Sequence, residues 1–278
     1  MENSLTVIIP NYNKAKYLEE CIESVEKQSF LPNEIIIIDD CSTDDSRNII
    51  KNLSSKYNNL KYIFLDSNSG VSAARNKGID CSTSKYITFL DSDDKYINPD
   101  KLSNEMKIVT RGKNIVSYSV TITIDEKSNI IDNKYNRKWK NKEFVKGDSF
   151  VELVSFIKQS RVPRDYCLEK NLLLNVGGYS YEKNFYEDLD LVFRLAESKA
   201  DFECTYEQGT GYRQLAGGLS SRTTTEHRKA RKAIAKHYFK KMGFKKKLLC
   251  RLYQLIAFFS KLGRDLSFFI NKRILKNK

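Results

Sequence analysis

The feature that most limits how this chain can fold is an alternation of short apolar runs and amphipathic segments over its first 90 residues. The apolar runs are rich in Ile, Val, Leu and Phe, and they cover residues 5–10, 34–40, 60–65 and 85–90. The segments between them carry apolar side chains at intervals of three and four, and they cover residues 14–28, 44–57 and 71–81. Buried strands that alternate with helices are typical of a parallel sheet with right-handed crossovers. The sequence therefore predicts an α/β fold.

The second half of the chain is less regular. Residues 115–124 alternate like a strand, whereas residues 125–143 are polar and indicate a loop or a mobile insertion. Apolar patches at residues 150–157 and 172–174 predict further helices or strands, and Gly177-Gly178 predicts a turn. We expect this half to form the other side of the site.

Acidic side chains concentrate where the predicted strands end. Asp39-Asp40 closes the second strand, and Asp91-Ser-Asp93-Asp94 follows the fourth. Ligands of such sheets bind beyond the carboxyl ends of the strands, so we expect these acids to line a binding crevice. A third acidic pair, Glu187-Asp188, opens a helix predicted for residues 187–198.

Asp91 and Asp93 are separated by one residue at a predicted strand-to-loop turn. Two carboxylates placed in this way can face Mg²⁺ or Mn²⁺, which takes one or two protein carboxylates and fills its other positions with water and substrate phosphate. Such a metal would neutralise a diphosphate leaving group. The same motif is a common polar turn after a strand, so the motif alone leaves both interpretations open.

The net charge of +13 is unevenly distributed along the chain. Residues 228–278 contain 17 Lys and Arg against one acid, Asp265, whereas residues 1–227 contain 31 basic and 34 acidic side chains. A slightly acidic body is therefore followed by a strongly basic tail. A negatively charged partner is expected to meet the tail.

Several classes of site are disfavoured by what the sequence lacks. The six cysteines form no C-x-x-C pair, which argues against a zinc site or a disulfide framework. Two histidines, His227 and His237, are too few and too late in the chain for a histidine-centred triad. No phosphate-binding P-loop is present, and Gly209-x-Gly211 lacks the third glycine of a dinucleotide motif.

Four motifs occur in order along the first 94 residues, with plausible spacings. They are Val7-Ile-Ile-Pro-Asn-Tyr-Asn13, Ile38-Asp-Asp-Cys-Ser-Thr-Asp44, Gly70-Val-Ser-Ala-Ala-Arg-Asn-Lys-Gly78 and Phe89-Leu-Asp-Ser-Asp-Asp94. With these motifs the sequence resembles the family 2 glycosyltransferases of the GT-A fold. The resemblance continues through Val176-Gly-Gly-Tyr179, Tyr186-Glu-Asp-Leu-Asp-Leu191 with Arg194, and Tyr212-Arg213 followed by Ser220, and it covers about residues 5–221.

The resemblance implies a donor site for a UDP-sugar. Pro10, Tyr12 and Asn13 would border the nucleotide base, Asp39 would bind the uracil, and Arg75 would reach the base or the phosphates. A carboxylate is a suitable acceptor for the N–H of a uracil edge. The alternatives are that the acids near Asp39 cap the next helix and that Arg75 belongs to a solvated helix face.

The resemblance also implies the groups that act on the sugar. Asp91 would touch the ribose or the donor sugar, Asp93 together with Asp91 would hold Mn²⁺ or Mg²⁺, and Asp188 would be the general base for the acceptor hydroxyl. Glu187 is the second candidate for the base. The alternative for this acidic pair is that it only complements a helix dipole.

One departure from the family pattern concerns the last motif. Relatives often carry a histidine shortly after the Tyr-Arg pair, where it can contact the metal or the diphosphate. Here no histidine follows Tyr212-Arg213, and we expect Arg213 to steady the pyrophosphate instead.

The basic tail shows a second pattern from residue 245 onward. Apolar side chains recur at intervals of three to five residues, and basic side chains lie largely elsewhere around the predicted helices. This pattern predicts that residues 245–278 bind an anionic membrane surface. Two alternatives stay open: the apolar stripe packs on the body, or it packs on a partner subunit in a homodimer. We expect no nucleic acid partner, because the tail lacks a known binding motif and the body is acidic.

We divide the chain into a GT-A catalytic domain, residues 1–225, and a basic amphipathic helical tail, residues 226–278. Residues 1–95 of the domain would bind the nucleotide sugar, and residues 96–225 would form the acceptor side. The fold expected is a Rossmann-like mixed sheet flanked by helices.

The function expected from these features is an inverting, metal-dependent hexosyl- or N-acetylhexosaminyltransferase. It would use a UDP-sugar and an undecaprenyl-diphosphate-linked glycan acceptor in the synthesis of a surface polysaccharide such as O-antigen or capsule. The strand that begins at Leu5 leaves no room for a signal peptide, and no apolar run reaches about 18 residues. We therefore expect a cytoplasmic protein, peripheral at the inner face of the plasma membrane. The alternatives are a non-catalytic membrane- or nucleic-acid-binding protein with a relic GT-A body and a nucleotide-sugar hydrolase.

Overall fold

A computed structural model describes residues 3–131, 165–180, 186–215 and 225–241, together with residues 243, 244, 247 and 248. The strands are β1 (Leu5–Asn11), β2 (Glu34–Asp39), β3 (Leu60–Phe64), β4 (Tyr86–Phe89), β5 (Lys95–Tyr96), β6 (Ile115–Ile124), β7 (Cys167–Glu169) and β8 (Asp201–Arg213). The helices are α1 (Ala15–Glu26), α2 (Ser46–Lys56), α3 (Val71–Cys81), α4 (Lys101–Val109), α5 (Lys170–Asn175), α6 (Glu187–Glu197) and α7 (Thr225–Lys241).

The described strands form one eight-stranded sheet in the order β3-β2-β1-β4-β7-β6-β8-β5. The first four strands of this order are parallel, as the alternation of strands and helices predicts. Beyond β4 the sheet is mixed, because β7 runs antiparallel to β4 and β6, and β5 runs antiparallel to β8. The prediction of a mixed α/β sheet flanked by helices is confirmed.

Helices cover both faces of the sheet, which explains why the central strands are apolar on both sides. Val7 and Ile9 of β1 pack in one cluster with residues of α1, α2 and α4. Ile8 points to the other face, where Gly78 of α3 approaches it so closely that a Cβ on Gly78 would lie 2.4 Å from Ile8 Cγ2. Any larger residue at position 78 would push α3 away from β1, and α3 carries part of the site described below.

The sheet opens at its carboxyl edge between β1 and β4. The β1–β4 register ends at the pair Ile8–Phe89, whereas β1 stays paired with β2 as far as Asn11. Pro10 has no N–H group and so could not extend the ladder. The chain order reverses between these two strands, and such a switch point is where α/β sheets place their ligands.

The predicted elements of the first 90 residues agree with the structure to within a few residues at each end. The patch at 172–174 is helical in α5, and α6 begins at Glu187 as predicted. Helix α4 and strands β5, β7 and β8 were not predicted. The patch at 150–157 and residues 132–143 of the predicted loop lie outside the described residues.

Helix α7 lies at the start of the predicted tail and packs on the body. The Tyr238 ring stacks on Phe193 of α6 with a centroid separation of 4.7 Å, and Tyr238 Oη donates a hydrogen bond to Asp190 Oδ1 over 3.1 Å. Ile234, one turn earlier, is also buried. The beginning of the tail is therefore held by α6, and the boundary at residue 226 stays a prediction. In the part of the chain that the structure describes, no helix is both long and apolar enough to cross a membrane.

Candidate active site

The candidate site lies at the carboxyl ends of β1, β2 and β4. Asn11 and Asp39 are register partners in β1 and β2, and Asn11 Nδ2 donates a hydrogen bond to Asp39 Oδ1 over 2.8 Å. The loop that carries Asp91 and Asp93 follows β4 directly. The strand-end acids lie along one edge because the three strands are parallel neighbours.

Asp39 is fully buried, and both of its carboxylate oxygens are hydrogen-bonded within the protein. Besides the bond from Asn11, Oδ2 accepts bonds from the backbone N–H of Ser42 and from Nε of Arg47, each over 3.0 Å. The Arg47 guanidinium in turn lies 5.0 Å from the ring centroid of Phe64 in β3. A carboxylate oxygen has more than one lone pair, so these bonds orient Asp39 and leave it able to accept a further hydrogen bond.

The loop after β1 is locked by the loop after β2. Asn13 has a left-handed backbone with φ of 53°. Its Oδ1 accepts the backbone N–H of Thr43 over 2.8 Å, and its own N–H donates to Ser42 Oγ over 2.9 Å. Asp44 Oδ2 accepts the N–H of Ala15 over 2.9 Å, which ties the start of α1 to the same loop. These bonds make the rim of the crevice rigid.

Of the three residues predicted to border a nucleotide base, Tyr12 and Asn13 are exposed. Tyr12 is 45% exposed, whereas Pro10 is buried within β1. The Asn13 carboxamide is used inside the protein, as described above. All three assignments stay predictions.

Arg75 of α3 joins the two sides of the site. Its Nη2 lies 2.7 Å from Asp91 Oδ1 and its Nη1 lies 3.0 Å from Glu187 Oε1, while only 1% of its side chain is exposed. The guanidinium also lies 5.0 Å from the ring centroid of Tyr179. Asp91 follows β4 and Glu187 begins α6, so one buried cation holds the donor-side loop and the acceptor-side helix together.

The loop of Asp93 and Asp94 is held by two further cations. Lys14 Nζ lies 2.7 Å from Asp93 Oδ2. The backbone N–H of Arg213 donates to Asp94 Oδ1 over 2.7 Å, and Arg213 Nε donates to the carbonyl oxygen of Asp93 over 2.7 Å. The Asp93 carboxylate itself is 22% exposed and thus accessible from the crevice.

Arg213 is buried, and its five N–H groups all bond to protein acceptors. The acceptors are the carbonyl oxygens of Asp93, Asp125 and Glu126, the carboxylate of Glu20 and the hydroxyl of Ser128. A direct contact between Arg213 and a pyrophosphate would have to replace one of these bonds. The pyrophosphate contact stays a prediction, whereas the contacts seen in the structure fix the loop around Asp93.

Asp188 lies in the first turn of α6, one residue after Glu187. It is partly exposed, and its Oδ1 accepts the backbone N–H of Leu189 over 2.7 Å. Tyr186 at the N-cap has a left-handed backbone with φ of 62°, which turns the chain sharply into the helix. Because Arg75 holds Glu187, the start of α6 and therefore Asp188 are kept beside the Asp91 loop.

Asn76, next to Arg75 on α3, clamps the glycine turn of the acceptor side. Its Nδ2 donates to the Tyr179 carbonyl and its Oδ1 accepts the Tyr179 N–H, both over 2.8 Å. Gly178 has φ of +60°, and a Cβ there would lie 2.7 Å from Asn76 Oδ1. The glycine is therefore required both by its backbone conformation and by the close approach of Asn76.

The Tyr179 hydroxyl and the Cys21 thiol also lie near the acids of the site, and their pKa values decide whether either could act as a general base. Burial raises the pKa of Tyr179 to about 12, so its hydroxyl stays protonated at neutral pH. Burial also raises the pKa of Cys21 beneath the Asp91 loop, and the nearby carboxylates Asp94 and Asp93 raise it further. Neither group can accept a proton readily near pH 7, so a base in this site would have to be a carboxylate, and the assignment to Asp188 or Glu187 stays a prediction.

The residues present fit a hard divalent cation. Asp91 and Asp93 offer carboxylate oxygens at 19% and 22% side-chain exposure. Within the described residues, no group of three or more His, Cys, Asp or Glu side chains is arranged to hold a metal. Two carboxylates completed by donor phosphate and water suit Mg²⁺ or Mn²⁺, which readily retain such ligands.

Three residues of the site were missed by sequence reasoning. Asn76 follows Arg75 within one predicted helix and Lys14 directly follows the locked turn at Asn13, so position in the pattern could have indicated both. Glu20 gave no signal, because it accepts bonds from Lys95, Ser128 and Arg213, which lie 75, 108 and 193 residues away in the chain.

Among the known proteins similar to this chain is a relative that matches along most of it. It is GalNAc(5)-diNAcBac-PP-undecaprenol beta-1,3-glucosyltransferase of Campylobacter jejuni, 29% identical over 277 residues, with 94% of this chain and 84% of that protein covered. Glycosyltransferase GlyA of Streptococcus pneumoniae is 37% identical over 124 residues, which cover 45% of this chain and 17% of GlyA. The chain spans less than half the length of several such relatives.

The fold is also similar to that of a solved structure. Staphylococcus aureus TarS in complex with UDP-GlcNAc aligns with a TM-score of 0.64 at 19% identity, covering 88% of this chain and 69% of TarS. The family model described as Glycosyl transferase family 2 matches residues 6–160, which include β1 to β6 and the acids that follow β2 and β4. Because that match covers more than half of the chain, the protein belongs to glycosyl transferase family 2.

Proposed function

We propose that this protein is an inverting glycosyltransferase that uses a UDP-sugar and transfers a hexosyl or N-acetylhexosaminyl unit. The observation that carries the proposal is that Arg75 binds Asp91 and Glu187 at the same time. That bridge sets the carboxylates that follow β4 beside the acidic start of α6. A donor site and a base held at one edge are what a displacement at a sugar carbon requires.

The donor is proposed to bind with its base over the ends of β1 and β2. Asp39, oriented by Asn11 and Arg47, would accept the N–H of a uracil, and the exposed Tyr12 ring would border the base. The TarS structures similar in fold hold UDP and UDP-GlcNAc, which supports a UDP-sugar for this chain. The diphosphate would then lie over the Asp91–Asp93 loop.

Mn²⁺ or Mg²⁺ is proposed as the cofactor, held by Asp93 together with Asp91. When bound there, the metal would neutralise the negative charge that develops on the diphosphate leaving group. Arg75 would keep Asp91 oriented, and Arg213 would hold the backbone of Asp93 in place. The two arginines thus fix the loop from opposite sides.

Asp188 is proposed as the general base. As the acceptor hydroxyl oxygen forms its bond to the anomeric carbon, Asp188 takes the hydroxyl proton. The bond from that carbon to the UDP oxygen breaks, and UDP leaves with the electron pair. Attack on the face opposite the leaving group inverts the anomeric centre. Glu187 is less suited to this role, because its carboxylate is 13% exposed and lies 3.0 Å from Arg75.

The acceptor is proposed to be a glycan linked to undecaprenyl diphosphate, in the synthesis of a surface polysaccharide. The Campylobacter jejuni relative is named for a PP-undecaprenol substrate and aligns with 94% of this chain. The exposed positions described on α7 include Lys229, Lys236 and Lys240, and Phe244 beyond the helix is 81% exposed. A basic surface followed by an exposed aromatic residue supports a peripheral place at the inner face of the plasma membrane.

The test is an assay of UDP release from a panel of UDP-sugars, run with and without Mn²⁺ and with and without a lipid-linked acceptor. We expect one donor to give release that needs both the metal and the acceptor. Release of equal rate without acceptor would indicate a nucleotide-sugar hydrolase. No donor binding and no release with any sugar would indicate a relic body, and either result overturns the proposal.

The membrane part is tested by deleting residues 245–278, which leaves every described strand in place. The truncated protein is expected to stay folded, to lose binding to anionic vesicles and to keep transfer to a soluble acceptor analogue. Vesicle binding by the full chain should weaken with salt, since exposed charges are screened over about 8 Å at physiological ionic strength. Unfolding or dissociation of a dimer on truncation, with no vesicle binding by the full chain, would assign the tail to packing.

A further inference from the structure

We propose that Lys14 is a further donor-binding residue. Its ammonium group pairs with Asp93 until a metal ion binds there, and it then moves to pair with the donor diphosphate. The inference rests on the proposed function and adds a residue and a sequence of contacts to it. It makes Lys14 the group that couples metal binding to donor binding.

The first observation is the pairing itself. Lys14 Nζ lies 2.7 Å from Asp93 Oδ2, and it is the one ion-pair partner of that carboxylate among the described residues. Asp91 is paired quite differently, because its partner Arg75 is 1% exposed and also bonds Glu187. Of the two carboxylates proposed to hold the metal, Asp93 therefore has the partner that can more easily leave.

The second observation is that the backbone of Lys14 is fixed while its side chain is not. Asn13 before it is locked to Ser42 and Thr43, and Ala15 after it donates to Asp44. The Lys14 side chain is 30% exposed and carries its charge on a flexible four-carbon stem. The ammonium group can therefore move by several ångströms with no change of the main chain.

The electrostatics give the direction of that movement. A divalent cation at Asp93 and the Lys14 ammonium would compete for the same carboxylate, and the two cations repel one another. The diphosphate beside the metal offers the displaced ammonium new acceptors in the same crevice. Donor binding thus draws the Lys14 ammonium away from Asp93, which frees that carboxylate for the metal. Metal binding in turn displaces the ammonium, which can then pair with the diphosphate of the donor. By linkage, each should raise the affinity of the other.

A surface ion pair with no role would behave differently, and the chain offers a matched control. Lys16 lies two residues further on and pairs with Glu126 over 3.3 Å, with 67% of its side chain exposed. It has the same charge and a similar position at the start of α1, but its partner is not a proposed metal ligand. Replacing Lys16 removes one positive charge from the region without touching Asp93.

The experiment measures two affinities in the full-length protein and in Lys14→Met, Lys14→Arg and Lys16→Met. Free Mn²⁺ is followed by electron paramagnetic resonance without nucleotide, and UDP binding is followed by calorimetry at saturating Mn²⁺. In Lys14→Met we expect Mn²⁺ alone to bind about threefold more tightly, the scale of a partly exposed ion pair. We expect UDP to bind about tenfold more weakly, since a charge-assisted bond is lost. Lys14→Arg should fall between wild type and Lys14→Met, and Lys16→Met should match wild type.

The proposal predicts affinity changes of opposite sign in Lys14→Met, namely tighter binding of Mn²⁺ and weaker binding of UDP. If Lys14→Met and Lys16→Met change both affinities equally, or if Lys14→Met leaves both at wild-type values, Lys14 has no such role although the proposed function stands. If Mn²⁺ and UDP both bind more weakly in Lys14→Met, Lys14 only supports the fold of the loop. A wild-type protein that binds no UDP with Mn²⁺ present would overturn the proposed function itself, and this inference with it.

Discussion

The two halves of the sheet are stabilised in different ways. On the donor side, β1, β2 and β4 have mostly apolar interiors, and the acids of β2 lie at its two ends, Glu34 and Asp39. On the acceptor side, α4 carries a charged pair inside the fold. Lys101 Nζ and Glu105 Oε1 lie 2.8 Å apart, and both side chains are fully buried.

The buried pair is part of a larger polar network around residue 165. Asp165 Oδ2 lies 3.6 Å from Lys101 Nζ and accepts a hydrogen bond from Thr210 of β8. Ser119 of β6 donates to Glu105 Oε1 over 2.6 Å. The network therefore joins α4, β6, β8 and Asp165, which lies two residues before β7. The donor half thus keeps the buried carboxylates of β2 at the two ends of that strand, whereas the acceptor half also places an ion pair in its interior and joins it to Asp165, 64 residues away in the chain.

The largest effect should come from the donor side, where we propose that the Asp93 carboxylate acts on the ligand rather than on the fold. Asp93→Ala is expected to lower transfer by about 10³-fold or more and to remove the metal dependence of donor binding, because the diphosphate loses its cation. Its thermal unfolding should stay near that of wild type, since the Asp93 carboxylate is partly exposed. Asp80→Ala, on an exposed position of α3, is the control. Near-normal turnover that still needs metal would show that Asp93 is not the ligand.

The acceptor-side pair should dominate stability instead. Lys101→Met leaves Glu105 buried without its cation. Breaking a buried pair typically costs about 3–5 kcal/mol in the free energy of unfolding, here because Glu105 must take up a proton to stay buried at pH 7. The double variant Lys101→Met with Glu105→Leu should recover most of that loss, because an apolar side chain at position 105 needs neither a cation nor a proton. Urea unfolding at pH 7 measures both.

The donor side supplies the matched control for this comparison. Lys27 forms an exposed pair with Glu23 on α1, with 74% of its side chain accessible. Lys27→Met should give an unfolding curve that cannot be distinguished from wild type. If Lys101→Met also leaves the unfolding curve unchanged, the buried network does not hold the acceptor half together, and the contrast between the halves is wrong.

A smaller effect on rate is expected at the start of α6. Asp188→Asn should lower turnover by about 10²-fold or more, the usual scale for a lost general base, and leave UDP-sugar affinity nearly unchanged. Glu187→Gln should lower turnover less and should also weaken donor binding, because Arg75 would no longer be held between Glu187 and Asp91. Steady-state kinetics and calorimetry separate the two effects. A larger loss of turnover alone in Glu187→Gln would make Glu187 the base.

The smallest expected effect is on stability, which should depend on pH in opposite directions for one buried acid of each half. Although burial acts to raise it, hydrogen bonds from Lys61 and Thr83 lower the pKa of Glu34 to about 2. The folded state thus favours ionised Glu34, and this contribution to stability is present above about pH 4.5 and is lost as pH falls towards 2. Burial raises the pKa of Glu105 to about 7, against the opposing effect of Lys101. The contribution of Glu105 is therefore present below about pH 4.5 and is lost as pH rises towards 7.

Urea unfolding between pH 2 and 8 tests these opposite slopes. Glu34→Gln should remove part of the loss of stability below pH 4.5 and leave the range from 4.5 to 7 unchanged. Glu105→Gln should flatten the range from 4.5 to 7 alone. Identical pH profiles in both variants would contradict the assignment of the two acids to different electrostatic environments.

How far the sequence alone could predict the molecule differs between the same two halves. The apolar runs predicted β1 to β4 and the order of the helices between them. Strands β1, β2 and β4 are buried along their whole length, and a strand buried on both faces leaves a continuous hydrophobic run. Strand β8 was missed, since its exposed positions alternate irregularly with buried ones and its register with β6 shifts near Val120. Helix α4 was also missed, because its inward face includes Lys101 and Glu105, which a hydrophobic pattern assigns to solvent.

For the site, the sequence by itself determined which acids follow strands, because parallel strands end at one edge and Asp39, Asp91 and Asp93 come directly after apolar runs. Only the tertiary structure decided how those acids are paired. Arg75 meets Glu187 across 112 residues of chain, and Arg213 meets Asp93 across 120. Local sequence carries no trace of such pairs, because a charged side chain is bonded by whatever the packing of distant elements brings within about 3 Å of it.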